Sequence, residues 1–396
     1  MKNILIIHHG RGVGGGLIAL LGLIEELKFK NKVQVLCVFD SEAVQYIEKL
    51  GVTVTIAKSR FYSKFYGIFV HSEASYFDII DFSRNLKNII SFFLSKYIFA
   101  KKELSNLNIE SDIIYLNSTF ISDWALAAKK NKKETFIHIR EPLARGVFGI
   151  RKSIIKSGIN KYCDQIIAIS RDNALRVGLE DKTNIVYDPV VVKGRSTSHE
   201  VNQNQNFKHF LYMGGMQRIK GFEQFVQALP FLNENVRIYF LGGDFRFPDN
   251  KLKRFILFFD PYMWRINSLI KSLNKSKHII KIGLVDNIFD YYANSISLIS
   301  PFSKPHAALP ILESFSVGKP VVVSAIMGMD ELVDLNNGLF FKNGSGEELA
   351  NAINKMSTLN NSEYLHMCNN AKNKFVEIVG QNQSVQSIID KHFLSI

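Results

Sequence analysis

The sequence predicts an α/β protein of two lobes, each a parallel sheet flanked by helices, with a cleft between them. Three observations carry that expectation. Short runs rich in Ile and Val alternate with helix-like or loop segments along most of the chain. The alternation lapses once into polar residues, near the middle of the chain. Finally, 396 residues, 46% hydrophobic and 21% charged, suffice for two domains, each with a core of its own.

The first series of strands is ILII (4–7), VQVLCVF (33–39), VTVTI (52–56), IIYLN (113–117), TFIHI (135–139) and QIIAI (165–169). HHGRGVGGGLIALLGLIEEL follows the first of them, and there Gly10, Gly12 and Gly15 spell GxGxxG between a strand and a helix. With Asp40 ending the next strand, this is the pattern of a dinucleotide site, although Asp40 comes later than the roughly 20 residues the ribose-binding acid needs. The same glycines suit any backbone that meets a phosphate at a helix N-terminus, and a tight turn with no ligand also accounts for them. Gly14, Gly15 and Gly16 in a row would let the loop approach a diphosphate or an acceptor closely.

Between Val186 and His209 the pattern lapses, with no apolar period from Ser196 to Asn206, so an interdomain linker is expected there. The expected division is 1–195, 207–375, and a C-terminal helix over 376–396 that packs back on the first domain. The second series of strands is HFLYMG, VRIYFLGG, IIKIG, SLISP, PVVVS and GLFF. YMGGMQRIKGFEQFVQAL places Gly214 and Gly215 directly after a strand, then Arg218 and Lys220, then Gly221 and a helix with Phe222, Phe225, Val226 and Leu229 on one face. Basic side chains at a strand's carboxyl end with a glycine turn make a diphosphate clamp, the lysine as point charge and the arginine as fork. In PHAALPILESFSVGKPVVVS, Pro310 and Gly318 bound a two-turn helix, Pro310 to Val317, with the carboxylate Glu313 near its start. That carboxylate either complements the helix dipole, worth about 0.3–1 kcal/mol, or grips hydroxyl groups in the cleft.

Composition sets bounds on function. Cys37, Cys163 and Cys368 are far apart, which suggests neither a disulfide framework nor a zinc site and fits a reducing cytoplasm. The opening MKNILIIHHGRGVGGG has too short an apolar run for a signal peptide, and no run approaches the ~18 residues of a membrane span. Lys plus Arg at 49 against Asp plus Glu at 36 gives +13, which points to anionic partners. Nucleic acid is disfavoured because no finger, homeodomain, RRM or basic-zipper pattern is present. Much of the excess lies in two aromatic-rich stretches, within Lys58 to Lys102 and within Lys251 to Lys277. They suit either helices lying on an anionic membrane surface or packed helices with solvated basic faces.

The order of pieces between Tyr212 and Leu349 resembles the retaining glycosyltransferases of family 4, which have the GT-B fold of two Rossmann-like lobes and transfer a sugar from a nucleotide diphosphate sugar. The resemblance implies that Glu313 holds the ribose hydroxyls of the donor, where an ionised carboxylate accepts two hydrogen bonds from a vicinal diol. Lys220 matches the family's Lys-Gly, and Gly283, Leu284, Val285 and Asp286 correspond to the base-binding loop. Gly15, Gly16, Gly214, Gly215, His306, Ala308 and Leu309 complete the implied donor site. Glu331 matches the acid of the GGxxE segment, whose first glycine is here Met327. The chain departs from the family at two points. Pro305 stands eight residues before Glu313, where the first acid of E-x7-E belongs, and adjacent His306 is the candidate to donate to a sugar hydroxyl. Gly215 stands where the diphosphate arginine belongs, and Arg218 is the candidate substitute.

In the first lobe, TFIHIREPLARG places His138 where the family has a histidine near the anomeric carbon. Arg140, Glu141 and Arg145 follow and would form an acceptor-facing cluster with it, although Arg140 and Glu141 would equally serve as an internal ion pair. Ser170 reads as a helix cap. The implied mechanism is front-face retaining transfer, with Lys220, Arg218 and helix N–H groups stabilising a leaving diphosphate that deprotonates the acceptor. No DxD pair appears, so metal-independent transfer without a cofactor is expected. The expected acceptor is a lipid-linked glycan or oligosaccharide, in surface polysaccharide synthesis at the inner face of the cell membrane. Two other readings stand beside it: an NAD-dependent oxidoreductase using GxGxxG and Asp40, and a non-catalytic subunit that kept the fold without the first acid.

Overall fold

The computed structural model describes residues 1–12, 14–69, 81–107, 110–190, 206–245, 261–285, 287–305 and 309–394. The chain divides into two compact units, one formed by Met1–Pro189 with Asn382–Ile396 and the other by Val190–Gln381.

The first unit is built on seven parallel strands: β1 (Asn3–His8), β2 (Lys32–Cys37), β3 (Thr53–Ile56), β4 (Ile113–Leu116), β5 (Glu134–Ile139), β6 (Gln165–Ala168) and β7 (Thr183–Ile185). Their spatial order is β3-β2-β1-β4-β5-β6-β7, so the order reverses between β1 and β4. Both faces of the sheet are covered, which is why the strands read as near-continuous apolar runs. Along β1, Ile4 and Ile6 face one core with Leu20, Ile24 and Leu27 of the Gly15–Lys28 helix. Leu5 and Ile7 face the other, with Trp124, Ile155 and Ile159. The six strands expected here all form, and β7 is added at the edge; its three residues are too few to show a period.

The second unit has six parallel strands: β8 (Lys208–Tyr212), β9 (Val236–Leu241), β10 (Ile279–Gly283), β11 (Ser297–Ser300), β12 (Val321–Ser324) and β13 (Gly338–Phe341). The order β10-β9-β8-β11-β12-β13 reverses between β8 and β11. Phe222, Phe225 and Val226 of the Phe222–Ala228 helix pack into its core beside Phe240 and Ile353, on the face their spacing predicts.

Two boundaries differ from expectation. The helix carrying Glu313 runs Leu309–Ser316, and Gly318 closes it at φ 69° with Gly318 N–H on Phe315 O and Lys319 N–H on Ser314 O. Glu313 therefore sits in the second turn, beyond the reach of the dipole reading. The helix Asn361–Gln381 runs through position 376, and a separate helix, Val385–Leu394, follows.

Candidate functional site

In open parallel sheets, ligands bind outside the carboxyl ends of the strands where the strand order reverses. In the second unit that point lies beyond β8 and β11. Tyr212, the last residue of β8, stacks on Phe225 at 4.1 Å and donates to Gly215 O at 3.0 Å. Gly215, at φ 52°, lies against the backbone after β9, and a Cβ there would come 2.7 Å from Gly243 O. That contact leaves no room for an arginine at this position. Gly221, at φ 78°, presses on the end of β11, where a Cβ would come 1.5 Å from Pro301 O. The turn between them, Arg218–Lys220, is thus fixed at both ends by glycines that no other residue replaces without strain.

Lys220 is largely buried, and burial lowers its ammonium pKa against an opposing pull from Glu313. Glu313 is the converse: burial raises its carboxyl, while the Tyr292 hydroxyl and Lys220 lower it. Tyr292 Oη lies 3.1 Å from Glu313 Oε2 and 2.9 Å from Pro310 O. Neither Lys220 nor Glu313 forms an ion pair within 4 Å among the described residues, and neither is fully buried, so each charge remains open to a third group. Arg218 stacks its guanidinium on the Tyr262 ring at 4.5 Å.

The other expected donor residues distribute as follows. Gly214 leaves space for the Tyr212 hydroxyl, which would lie 2.1 Å from a Cβ there. Gly283 ends β10 at φ 89°, and its carbonyl accepts from Gly242 N–H at 2.8 Å. Leu284 is 82% exposed and Val285 half-buried. Leu309 opens the helix of Glu313 and is half-buried. His306, Ala308 and Asp286 lie outside the described residues. Glu331 ends the short turn Met329–Glu331, which Gly328 opens at φ 82° after an exposed Met327.

In the first unit the reversal lies between β1 and β4. Gly14 precedes the Gly15–Lys28 helix, and its carbonyl accepts from Leu17 and Ile18 N–H. Gly15 and Gly16 form the first turn, with no atom within 4 Å of where a Cβ would stand. Asp40 does not end the next strand. β2 stops at Cys37, its last ladder bond running from Val38 N–H to His8 O, and Asp40 is exposed beyond it.

The expected acceptor-side residues separate. His138 is buried on β5, with Tyr115 Oη 2.8 Å and an Arg140 terminal nitrogen 3.3 Å from its Nδ1. Arg140 does not pair with Glu141. It bonds Asn117 Oδ1 through Nε at 3.0 Å and forms an ion pair with Asp188. Glu141 instead accepts from Ser118 Oγ and from Thr119 N–H, and burial pushes its carboxyl up to about 7. Arg145 is exposed and outside this network. Ser170 caps the Arg171–Val177 helix through Asn173 N–H at 3.1 Å. Sequence reasoning missed Tyr292, Asn117, Asp188 and His8. Only His8 carried a signal, a histidine directly on a strand's carboxyl end.

Comparison with known proteins adds to this geometry. Residues 195–375 match the family described as glycosyl transferases group 1. No curated protein matches by sequence. Among solved structures, Anabaena HepE in complex with UDP-glucose is similar at a TM-score of 0.73 and 17% identity, covering 99% of this chain and 100% of that one. A glycosyltransferase from Rickettsia africae is similar at 0.64 and 17%, covering 99% and 97%. TarM of S. aureus, in a complex containing UDP, is similar at 0.67 and 12%, covering 100% and 99%. The two parallel-sheet units have the GT-B fold.

Proposed function

We propose, for a chain whose residues 195–375 match the group 1 glycosyltransferases, that it transfers a sugar from a nucleotide diphosphate sugar with retention of anomeric configuration and without a metal. The observation that carries this reading is the desolvated and mutually unpaired Lys220 and Glu313 at the strand-order reversal of the second unit. Partial burial penalises each charge, and a ligand bearing both a diphosphate and a diol offsets that penalty on both sides. Glu313 accepts from the ribose hydroxyls while Tyr292 fixes its other face. Lys220 stabilises the departing diphosphate. The anomeric C–O bond to the diphosphate breaks, a bond to the acceptor oxygen forms on the same face, and the acceptor's proton passes to a diphosphate oxygen.

The acceptor in this reading is a lipid-linked glycan, met at an anionic membrane surface. Supporting it, Leu86, Ile89, Ile90, Tyr97 and Ile98 are exposed within a segment, Asn85 to Lys102, that carries Lys87, Lys96, Lys101 and Lys102 and no acidic residue. Val147 and Phe148 are exposed on a turn between Arg145 and Arg151, and Arg151 lies 5.4 Å from the Phe69 ring, which packs on Phe92 of the same basic segment. Among the described residues no helix is long and apolar enough to cross a membrane.

The test is a melting series with UDP, GDP, ADP and NAD, followed by a transfer assay in the presence of chelator. One nucleoside diphosphate at a hundred times its dissociation constant should stabilise the protein by about 2.7 kcal/mol. Stabilisation by NAD alone would establish the oxidoreductase reading instead. Response to no nucleotide would favour the non-catalytic subunit, and loss of transfer with chelator would end the metal-independent reading.

A further inference from the structure

His8, Asn117 and His138 stand in one row across three adjacent strands. Ile7 is in register with Leu116 and Leu116 with Ile137, so the next residue of each chain continues the row at the carboxyl end of the sheet. All three are buried, on the face shared by Ile6, Tyr115 and Phe136. Asn117 Nδ2 lies 3.4 Å from His8 Nδ1, and Asn117 Oδ1 faces Arg140 Nε at 3.0 Å. A guanidinium can only donate. It therefore holds the Asn117 oxygen toward itself and the amide N–H toward His8, whose Nδ1 must accept. A second guanidinium nitrogen faces His138 Nδ1, which must accept as well. With His138 Nδ1 accepting from the guanidinium, the Tyr115 hydroxyl 2.8 Å away is left to donate to the same nitrogen.

We infer that Arg140 is a positioning residue that sets the tautomers of two histidines at once, so that His8 and His138 each present an Nε2–H donor at the carboxyl end of the first unit's sheet. Both Nε2 atoms are buried and have no hydrogen-bond partner among the described residues. A buried donor left unmade is destabilising, so the row is built for a ligand oxygen. Gly10 keeps the approach to His8 open, since a Cβ there would stand 2.5 Å from His8 Nε2. Burial and the neighbouring cations hold both rings neutral, His8 down to about 3. Asp188 compensates Arg140. The row therefore offers N–H groups without net positive charge, which suits a hydroxyl oxygen, not a phosphate. Under the transferase reading, on which this use of the donors rests, that hydroxyl belongs to a sugar; the tautomers themselves do not depend on it.

Long-range 15N–1H spectra of the imidazoles, assigned with His8→Gln and His138→Gln, read the tautomers directly in the full chain. Both rings should carry the proton on Nε2. Asn117→Asp places a carboxylate between Arg140 and His8, so the single proton of the neutral His8 ring should move from Nε2 to Nδ1 while His138 is unchanged. Turnover should then fall by about 10², as for loss of one preorganised donor, with nucleotide affinity unaltered. A wild-type ring protonated on Nδ1, or an Asn117→Asp protein with His8 unchanged, would overturn the inference. A shift of either Nε2–H signal on adding inorganic phosphate would overturn the hydroxyl assignment. If the wild-type protein transfers no sugar, the functional reading fails while the spectra still decide the tautomers.

Discussion

Glu313 is held by one phenol, and no cation lies within ion-pair distance of it among the described residues, so its substitution isolates a ligand contact. Glu313→Ala should weaken binding of the matching nucleoside diphosphate by about 1.5–3 kcal/mol, the range for hydrogen bonds to a charged group. Calorimetry measures it. The fold should persist, because Tyr292 keeps the Pro310 carbonyl as acceptor; unchanged affinity with lost stability would make the residue structural. Lys220 makes a different demand. In the proposed transfer the leaving diphosphate gains charge in the transition state, so Lys220→Ala should lower turnover at saturating donor by about 10²–10³ while affinity falls less. Arg218 stacks on Tyr262, and Arg218→Ala separates two roles. A comparable loss of turnover gives it the place of the arginine that Gly215 excludes, whereas normal turnover with a lower melting temperature leaves it as a packing residue.

At the scale of elements, Asp123 shows how far a side chain can be removed from any sequence signal. It lies on the turn Thr119–Trp124, fully buried, with Tyr66 Oη 3.1 Å from both of its oxygens. Tyr66 comes from the loop after the Arg60–Lys64 helix. Burial raises the Asp123 pKa to about 7, from an ordinary 3.8. The folded state thus binds this proton more tightly than the unfolded state, and the associated stability is full below about 4 and lost as pH rises through about 7. Asp123→Asn should flatten the fall in melting temperature between about pH 4 and pH 7. Glu141, His8 and His9 titrate alike in both proteins, so the difference reports Asp123 alone. An identical pH profile in the two would refute the assignment. The strands were legible because burial on both faces leaves Ile and Val runs with little else in them, and the Gly-Gly turn and Lys220 were legible because glycine and lysine at a strand's end have few other uses. Tyr292 and Asn117 were not. Each reaches its partner across a strand crossover, 21 residues away for Tyr292 to Glu313 and 23 for Asn117 to Arg140, and no local spacing encodes such a meeting. The Arg140–Glu141 ion pair, weighed as the alternative to an acceptor-facing cluster, does not form for a related reason: neighbouring residues on an extended chain point apart.

For the whole molecule, the net charge of +13 and the exposed apolar residues of the basic segment predict salt-sensitive binding to anionic vesicles. Each near-surface cation contributes about 1 kcal/mol, and Phe148, 97% exposed beside Arg145, should add an apolar contact. Co-sedimentation with neutral and anionic vesicles, at low and high salt, checks this. Equal recovery on both would assign the segment to packing and solvated surface. Phe148→Ser should weaken anionic binding without altering nucleotide affinity.

The closing helix of the first unit, Val385–Leu394, contributes Val385, Ile388 and Ile389 to the core formed by the Gly15–Lys28 helix. Gln386 N–H bonds Glu26, Asn31 bonds the Gln386 side chain, and His392 reaches Glu134 at the start of β5. On the ribosome these residues emerge only after Val190–Gln381 has been made, a delay of about 10–40 s at ~5–20 residues per second. Until then the nascent first unit shows water an uncovered apolar face, the state in which a chaperone would hold it. A premature stop codon before Asn382 would make that exposure permanent, and the truncated protein should aggregate even though the whole second unit had been translated.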